Sequence, residues 1–548
     1  MKTVPESLTF RIFLLVVVAY VLIGLVGHDP WKQDETYIFG AIQEFLESGN
    51  WLIPRVAGEP FMEKPPLYHW VASAMAYSFR PMLPLHDGAR LASGIFVAVT
   101  CLAIGWTARH LWGAGTGRYA VLTMLANLGT ALYAHIMITD LTVMAGAAVA
   151  CGGIIFITNA PVRAGLLIGS GIGIGFLGKG LFLPGVAVLT AIALPILFAQ
   201  WRNQKFIICI GAAIFASLPW VGMWPIALYL KDPKLFQEWF WVNNVGRFLG
   251  FSVEILGAEN SNGYWLRTLA WFAFPAFPLA CFALLRNWIA IKTKGEVQFL
   301  VVFSSIMLLT LFTSASARES YALPVLVPLS LLAAHVTQRL PTIIDVAWDW
   351  ICRIGFWAVA FVIWGAWLTI WAGYQVPWNK FNELLPTADV PITSAAPLAA
   401  LALTFSVAIL TFRLQYWRGR GLISWVLGLQ LCVGLLLTLW MPWLDAAKSY
   451  RGVFLSMQKV LPLNPTCVES VSLGESERAM LRYVVGINTQ RHETVRNPHC
   501  RFFLLEGLAQ FPPAEEDFSD WTLLWTGSRP KDTREQFWLF RRRSVDPE

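Results

Sequence analysis

Two short charged clusters, Gln33-Asp34-Glu35 and Glu63-Lys64-Pro65, share the first loop of a chain that is otherwise mostly lipid-soluble. Carboxylates can move a proton or orient a reacting hydroxyl, and an ammonium can hold negative charge as it develops. Ionised groups beside bilayer segments are costly to hold there and are by default candidates for function. Here they follow one hydrophobic span and sit among aromatics and prolines that would fix them at the membrane surface. That is the layout of an active site for a substrate that is itself in the membrane.

Composition determines which elements must hold these groups. The chain has 548 residues, of which 56% are hydrophobic and 14% charged, with 27 Trp. Its mean hydropathy is +0.56. Soluble domains carry about 25% charged residues, so lipid must cover much of this surface. The net charge is +7, but the basic residues fall in short clusters between hydrophobic runs rather than on one face. That is the pattern of cytoplasmic loops, and it argues against nucleic acid as a partner.

Apolar runs near bilayer length occur at 9–27, 89–108, 117–134, 141–158, 163–178, 181–199, 206–224, 269–286, 296–313, 321–337, 354–374, 393–413 and 421–441. A shorter run, Leu67 to Phe79, is expected to lie on the surface as an amphipathic helix. With thirteen spans and the N-terminus inside, Arg109, Arg118, Arg163, Arg202, Lys205, Arg286, Lys292, Lys294, Arg339, Arg353, Arg413, Arg418 and Arg420 all fall inside. The motif loop 28–88, His135–Asp140, Lys179-Gly180, 225–268, Ser314–Ser320 and 375–392 then fall outside. The first span has no small-residue cleavage site behind it and is expected to be retained.

After Trp443 the composition turns polar, which divides the chain into a membrane domain, 1–444, and a small periplasmic α/β domain, 445–548. Alternation over Arg501–Leu505 and Gln536–Arg542 predicts strands, and Ser476–Gly486 a helix with Ser476 as N-cap. Cys467 and Cys500 are the two cysteines of this domain, and an oxidising compartment leaves them open either to pairing or to remaining free. The other six read as small hydrophobes, and no CxxC, HExxH or Walker pattern occurs.

The segment Gln33-Asp34-Glu35-Thr36, then Ser48-Gly49-Asn50-Trp51-Leu52-Ile53-Pro54, then Phe61-Met62-Glu63-Lys64-Pro65-Pro66-Leu67-Tyr68, resembles bacterial membrane glycosyltransferases of the protein O-mannosyltransferase superfamily. The likeness is closest to the lipid A 4-amino-4-deoxy-L-arabinose transferases. Thr139-Asp140, Gly178-Lys179-Gly180, Trp241-Val242, Arg247-Phe248 and Tyr321-Ala322-Leu323-Pro324 extend it over residues 1–340. The resemblance implies an all-α polytopic membrane protein of GT-C type, with about 13 transmembrane helices and a small outer domain, in the bacterial inner membrane.

Such enzymes pass a sugar, with inversion, from a polyprenyl phosphate to lipid A or another envelope glycolipid. A protein Ser or Thr is the alternative acceptor, and a monomer among membrane lipids is expected. The resemblance makes Lys64, Arg247 and Lys179 holders of the donor phosphate. It makes Asp34 and Asp140 the acidic residues of the site, Glu63 the partner that keeps Lys64 in place, and Glu35 and Tyr321 contacts of the donor sugar. Asp34 would be a general base toward a hydroxyl acceptor, and would orient the sugar or acceptor if the acceptor is a phosphate. No cofactor is certain; a divalent metal is left open but is not indicated.

Each residue also has a plain structural reading. Asp34, Glu35 and Asp140 could cap helices. Glu63-Lys64 could be a surface ion pair. Lys179 could snorkel, and Tyr321 could belong to the aromatic belt. His69 and His135 read as packing residues. Tyr37-Ile38 replace the usual Arg-Tyr after Asp-Glu-Thr, Asn243-Asn244 precede Arg247, and no His occurs from Pro225 to Thr268. The resemblance therefore reaches the reaction class but neither the sugar nor a metal held by that loop. A transporter would instead place its charges near the midplane within inverted repeats, and neither feature is found. A non-catalytic scaffold would leave Lys64, Asp34 and Arg247 without a reason to share the outer side.

Overall fold

Helices that are equally apolar differ sharply in what covers them, and that difference organises the molecule. The computed structural model describes residues 6–252, 259–337, 339–374, 395–414, 417–462, 467–495, 500–510, 520–530, 532 and 534–543. The outer segment expected at 375–392 lies outside these residues. In the Glu319–Thr337 helix 89% of the apolar window is buried, so it is the centre of the bundle. In Gln204–Lys231 the figure is 11%, which leaves an apolar surface that only lipid can cover.

Among the described residues eight helices are long and apolar enough to cross a membrane, or nine if a bent pair counts as one span. That pair, Tyr264–Phe272 and Ala276–Arg286, bends by 88° at a break holding Pro275. Phe10–Leu22, Asp140–Phe156 and Phe182–Leu197 are shorter apolar helices. The run expected as one span at 117–134 is broken at Asn127, whose backbone is extended. The Asn127 carboxamide oxygen accepts from the amide of Ala276 at 3.1 Å, tying this break to the bent pair. Helices without bulky side chains at the contact approach closely: Gly165 and Gly169 lie against the backbone of Cys209 and Ala213.

The motif loop is folded, and local chemistry explains its turns. The Asp34–Ser48 helix stops at Gly49, at φ 67°, whose amide bonds back to Phe45. A short hairpin pairs β1 (Arg55–Val56) with β2 (Glu59–Pro60) through Ala57-Gly58, both at positive φ as a two-residue turn requires. Pro65-Pro66 then leads into the Leu67–Phe79 helix. That helix buries Tyr68, His69, Ala72, Ser73 and Ala76, so one face packs inward as an amphipathic helix should.

At the C-terminus β3 (Val468–Val471), β4 (Gln490–Arg491), β5 (Phe502–Gly507), β6 (Trp521–Gly527) and β7 (Gln536–Arg542) form a sheet in the order β4-β3-β5-β7-β6. The pairs β3–β4 and β3–β5 are parallel, whereas β5–β7 and β6–β7 are antiparallel. Cys467 and Cys500 are joined by a disulfide beside β3 and β5. The helix runs Glu475–Val485, one residue earlier than expected, and Gly474 is its N-cap. Ser476 therefore does not cap it; its hydroxyl bonds instead to the carbonyl of Gln33 at 3.3 Å.

This sheet unit docks on the motif loop through ion pairs. Lys32 reaches Glu477 and Glu535 at 2.7 and 2.5 Å. Arg482 pairs with Glu44 and Glu47, and Arg451 with Asp29 at 2.5 Å. Ala479 packs so closely on Gly40 that a side chain there would collide with it.

Candidate active site

Asp34 and Asp140 each begin a helix, and neither helix has a side-chain N-cap bond. The Asp34 carboxylate accepts from the Tyr37 hydroxyl one helical turn on. It lies 3.8 Å from Lys64 Nζ and 3.4 Å from Arg318 Nη1. Burial opposes ionisation of Asp34, yet Lys64, Arg318 and the Tyr37 hydroxyl hold its carboxyl below the usual range. Lys64 is itself buried, at 5% exposure, beneath the fixed Pro65-Pro66 backbone.

Glu63, expected to keep its neighbour Lys64 in place, is within electrostatic reach of Lys64 but makes its ion pair elsewhere. It pairs across the fold with Arg247, its two oxygens 3.3 and 3.5 Å from the guanidinium. Burial opposes ionisation here too, while Lys64 and Arg247 keep the Glu63 carboxyl low. Arg247 follows a π-helix, Glu238–Gly246, a rare element that is frequent at functional sites. The Nε of Arg247 and Oδ1 of Asn243 are buried without a hydrogen-bond partner among the described residues.

Lys179 is held at the end of the Pro161–Lys179 helix by two glycines. A Cβ at Gly178 would overlap the Thr142 hydroxyl, and Gly180, at φ 78°, lies against the Asn244 carboxamide. Lys179 pairs with Asp140 and sits 3.4 Å over the ring of Tyr321. Tyr321 thus meets a cation through its face.

Glu63, Lys64, Asp140, Lys179, Arg247 and Tyr321 all line one cavity of about 550 Å³. Its remaining wall is largely apolar, from Phe182, Val186, Leu189, Phe248, Leu309 and Leu311. Lys64, Lys179 and Arg247 line it beside the carboxylates of Glu63 and Asp140, whereas Asp34, which pairs with Lys64 and Arg318, is not among its lining residues, nor is Arg318. Such an arrangement can hold an anionic head while its walls accept a hydrocarbon tail.

Glu35 is turned elsewhere. Its carboxylate accepts from Arg90 Nε at 2.9 Å, from the Met137 amide at 2.9 Å and from the Trp31 amide at 3.1 Å. It lies among the helix ends that support Asp34 and does not line the cavity. His69 is fully buried between Phe45 and Tyr68, and burial with Lys64 nearby pushes its pKa down to about 3. His135 bonds the carbonyl of Tyr20 at 2.6 Å. Among the described residues one acidic cluster has metal-ligand spacing, Glu477, Glu506 and Glu535, outside this cavity and already neutralised in part by Lys32.

Sequence reasoning missed Arg318, Tyr37 and Arg90. Arg318 did carry a signal: it is a basic residue in a loop that the charge rule assigns to the outer side, where such residues are scarce. The fully buried Arg90 carried one too, as a charged residue inside the apolar run at 89–108, but nothing local named its partners.

No family model matches the chain. An undecaprenyl phosphate-α-4-amino-4-deoxy-L-arabinose arabinosyl transferase of Pectobacterium carotovorum is 25% identical over 363 residues, covering 62% of this chain and 61% of that protein. The protein of the same name from Yersinia enterocolitica is 27% identical over 331 residues, 56% and 55% of the two chains. The chain thus matches about three fifths of the length of these curated relatives. ArnT from Cupriavidus metallidurans bound to undecaprenyl phosphate superposes with a TM-score of 0.70 at 15% identity, over 99% of this chain and 100% of that one. Its apo form gives 0.69 over 97% and 98%. This chain is a polytopic membrane protein with the GT-C fold of ArnT, related in sequence to the undecaprenyl phosphate aminoarabinose transferases.

Proposed function

We propose that this protein is an inverting glycosyltransferase that moves a sugar from a polyprenyl phosphate to lipid A or another envelope glycolipid. The observation that carries the reading is the single cavity with Lys64, Lys179 and Arg247 at its polar end and hydrocarbon side chains along its walls. A polyprenyl phosphate has that division of chemistry. The names of the sequence relatives support it, and make undecaprenyl phosphate-α-4-amino-4-deoxy-L-arabinose the first donor to test.

In this reading the bond between the sugar's anomeric carbon and the phosphate oxygen breaks as an acceptor oxygen attacks from the opposite face. Negative charge grows on the departing phosphate, and the three cations of the cavity stabilise it. The buried Arg247 Nε, without a hydrogen-bond partner among the described residues, is a further donor near that end of the cavity. Asp34, held ionised between Lys64 and Arg318, keeps these cations in position and orients the sugar or acceptor. Asp140 does the same for Lys179. Glu35 acts from behind by fixing the start of the Asp34 helix.

The one-sided basic loops support an inner-membrane protein with the motif loop and the C-terminal unit, from about residue 445, in the periplasm. Mass spectrometry of lipid A and total glycans from deletion and complemented strains tests the whole reading. A mass increment on lipid A that disappears on deletion and returns on complementation is expected. Loss of sugar from secreted proteins with lipid A unchanged would overturn the acceptor.

A further inference from the structure

A second cavity, of about 410 Å³, lies between the β1–β2 hairpin and the start of the Glu475–Val485 helix. Glu59 and Phe61 come from the motif loop, whereas Gly474, Glu475, Arg478 and Arg491 come from the C-terminal unit. Arg478 Nη1 and Arg491 Nη1 approach the same oxygen of Glu59, at 2.8 and 2.7 Å. One carboxylate oxygen thus serves two guanidiniums. Arg478 is 6% exposed, and its Nε has no hydrogen-bond partner among the described residues. A buried donor left in that state is unfavourable until an acceptor atom arrives.

The other charges in reach are Glu493, 3.4 Å from Arg491 Nε, Glu475, and Glu506, which accepts from the Gly474 amide at 3.4 Å. Burial and the nearby Glu63 push the Glu475 carboxyl up to about 7, so near neutral pH it is protonated about half the time and can donate a hydrogen bond. The helix N-terminus at Gly474 already meets acidic groups, Glu475 and Glu477 in its first turn and Glu506 on the Gly474 amide.

Placement gives the pocket its meaning. Residues 59–61 wall it, and Glu63 and Lys64, next in the chain, line the apolar cavity. The two cavities therefore flank one short segment. The first has hydrocarbon walls; the second is walled mainly by charged side chains and suits a hydrophilic group. Guanidinium forks match phosphate oxygens, and carboxyl groups match sugar hydroxyls.

We propose that this pocket, built jointly by the motif loop and the C-terminal unit, holds the phosphorylated sugar headgroup of the acceptor. The proposal rests on the glycolipid-acceptor reading above.

The test measures binding to the full-length protein in detergent. The probes are a deacylated, doubly phosphorylated glucosamine disaccharide, the same disaccharide without phosphate, and inorganic phosphate. The phosphorylated disaccharide is expected to bind about tenfold or more tightly than either of the others, as a charge-assisted, bidentate contact implies. Arg491→Gln and Arg478→Gln should each remove about that factor while undecaprenyl phosphate binds as before. Arg478 is buried, so the half-exposed Arg491 keeps the test valid if the Arg478 variant does not fold. Equal binding of the unphosphorylated disaccharide, or of inorganic phosphate, would overturn the assignment. So would an Arg491→Gln protein that melts earlier but binds the probe normally, because the arginines would then only staple the two units together. Probe binding without any transfer to lipid A would sink the functional reading and leave the pocket standing. Intact transfer with an unchanged acceptor KM in Arg491→Gln would sink the pocket alone.

Discussion

Asp34 sits between two cations and a tyrosine hydroxyl, and that setting decides what it can do. A carboxyl held below its usual range is a poor proton acceptor at neutral pH, so its main work is electrostatic. Asp34→Asn removes the charge but keeps the shape; turnover should fall on the order of 100-fold as Lys64 and Arg318 lose their anchor. The wild-type pH–rate profile should show no acidic limb near neutrality. An acidic limb that disappears in the Asn variant, with donor lipid still bound, would instead make Asp34 a general base toward a hydroxyl. Arg247 lines the cavity with its guanidinium on Glu63, and its buried Nε has no hydrogen-bond partner among the described residues. Arg247→Ala should cost about two or more orders of magnitude in turnover, and Arg247→Lys should recover only part of it. Near-wild-type transfer by the alanine variant would remove Arg247 from the phosphate site.

At the scale of elements, the start of the motif loop hangs on one fully buried arginine. Arg90 binds Glu35 at 2.9 Å and Asp87 at 2.8 Å, and donates to the carbonyls of Leu25, His28 and Asp29. Arg90→Met would leave two buried carboxylates unpaired, at a cost of about 3–5 kcal/mol. The expected result is a large drop in the melting temperature of the purified protein or loss of its accumulation in membranes; a normal melting curve would contradict it.

The docking of the C-terminal unit should depend on pH. Burial and neighbouring acids push Glu475 up to about 7 and Glu506 up to about 8, against about 4.3 in an unfolded chain. The folded state then holds these protons more tightly than the unfolded state. Their contribution is complete below about pH 4 and is lost as pH rises through 7 and 8. Melting temperature should therefore fall across that range, and Glu475→Gln should flatten the lower part of the fall. A wild-type melting temperature that rises from pH 6 to 8.5 would refute the assignment.

At the scale of the molecule, the proposed topology rests on the one-sided distribution of basic loops. Cysteines introduced at Gly49 and Asp520 should react with a membrane-impermeant reagent from the periplasm, and one at Arg418 should not. Periplasmic labelling of a cysteine at Lys292 would overturn the map. The C-terminal sheet meets the motif loop through Lys32, Arg451, Arg478, Arg482 and Arg491. Deleting that unit should therefore lower sugar transfer by loosening the motif loop, and unchanged transfer would contradict this.

By itself the chain determined the apolar helices, the charged motifs between them and the polar C-terminal unit. These follow from hydropathy, from the cost of charge in lipid and from strand alternation, all of which act over neighbouring residues. Strands were legible at 502–507 and 536–542 because alternation is local. The break at Asn127 was not, because its stabilising contact is with Ala276, far along the chain. Asp34, Lys64 and Arg247 could be named as members of a site, but their pairing could not. Glu63 takes Arg247 rather than its neighbour Lys64, and Lys64 faces Asp34, because helix packing brings those distant side chains within a few ångströms. Glu35 and Arg90 became a support for the site in the same way, through burial against elements that no local pattern links. Only the tertiary structure decides such partners, since Coulomb and hydrogen-bond energies depend on distance in space and not on separation along the chain.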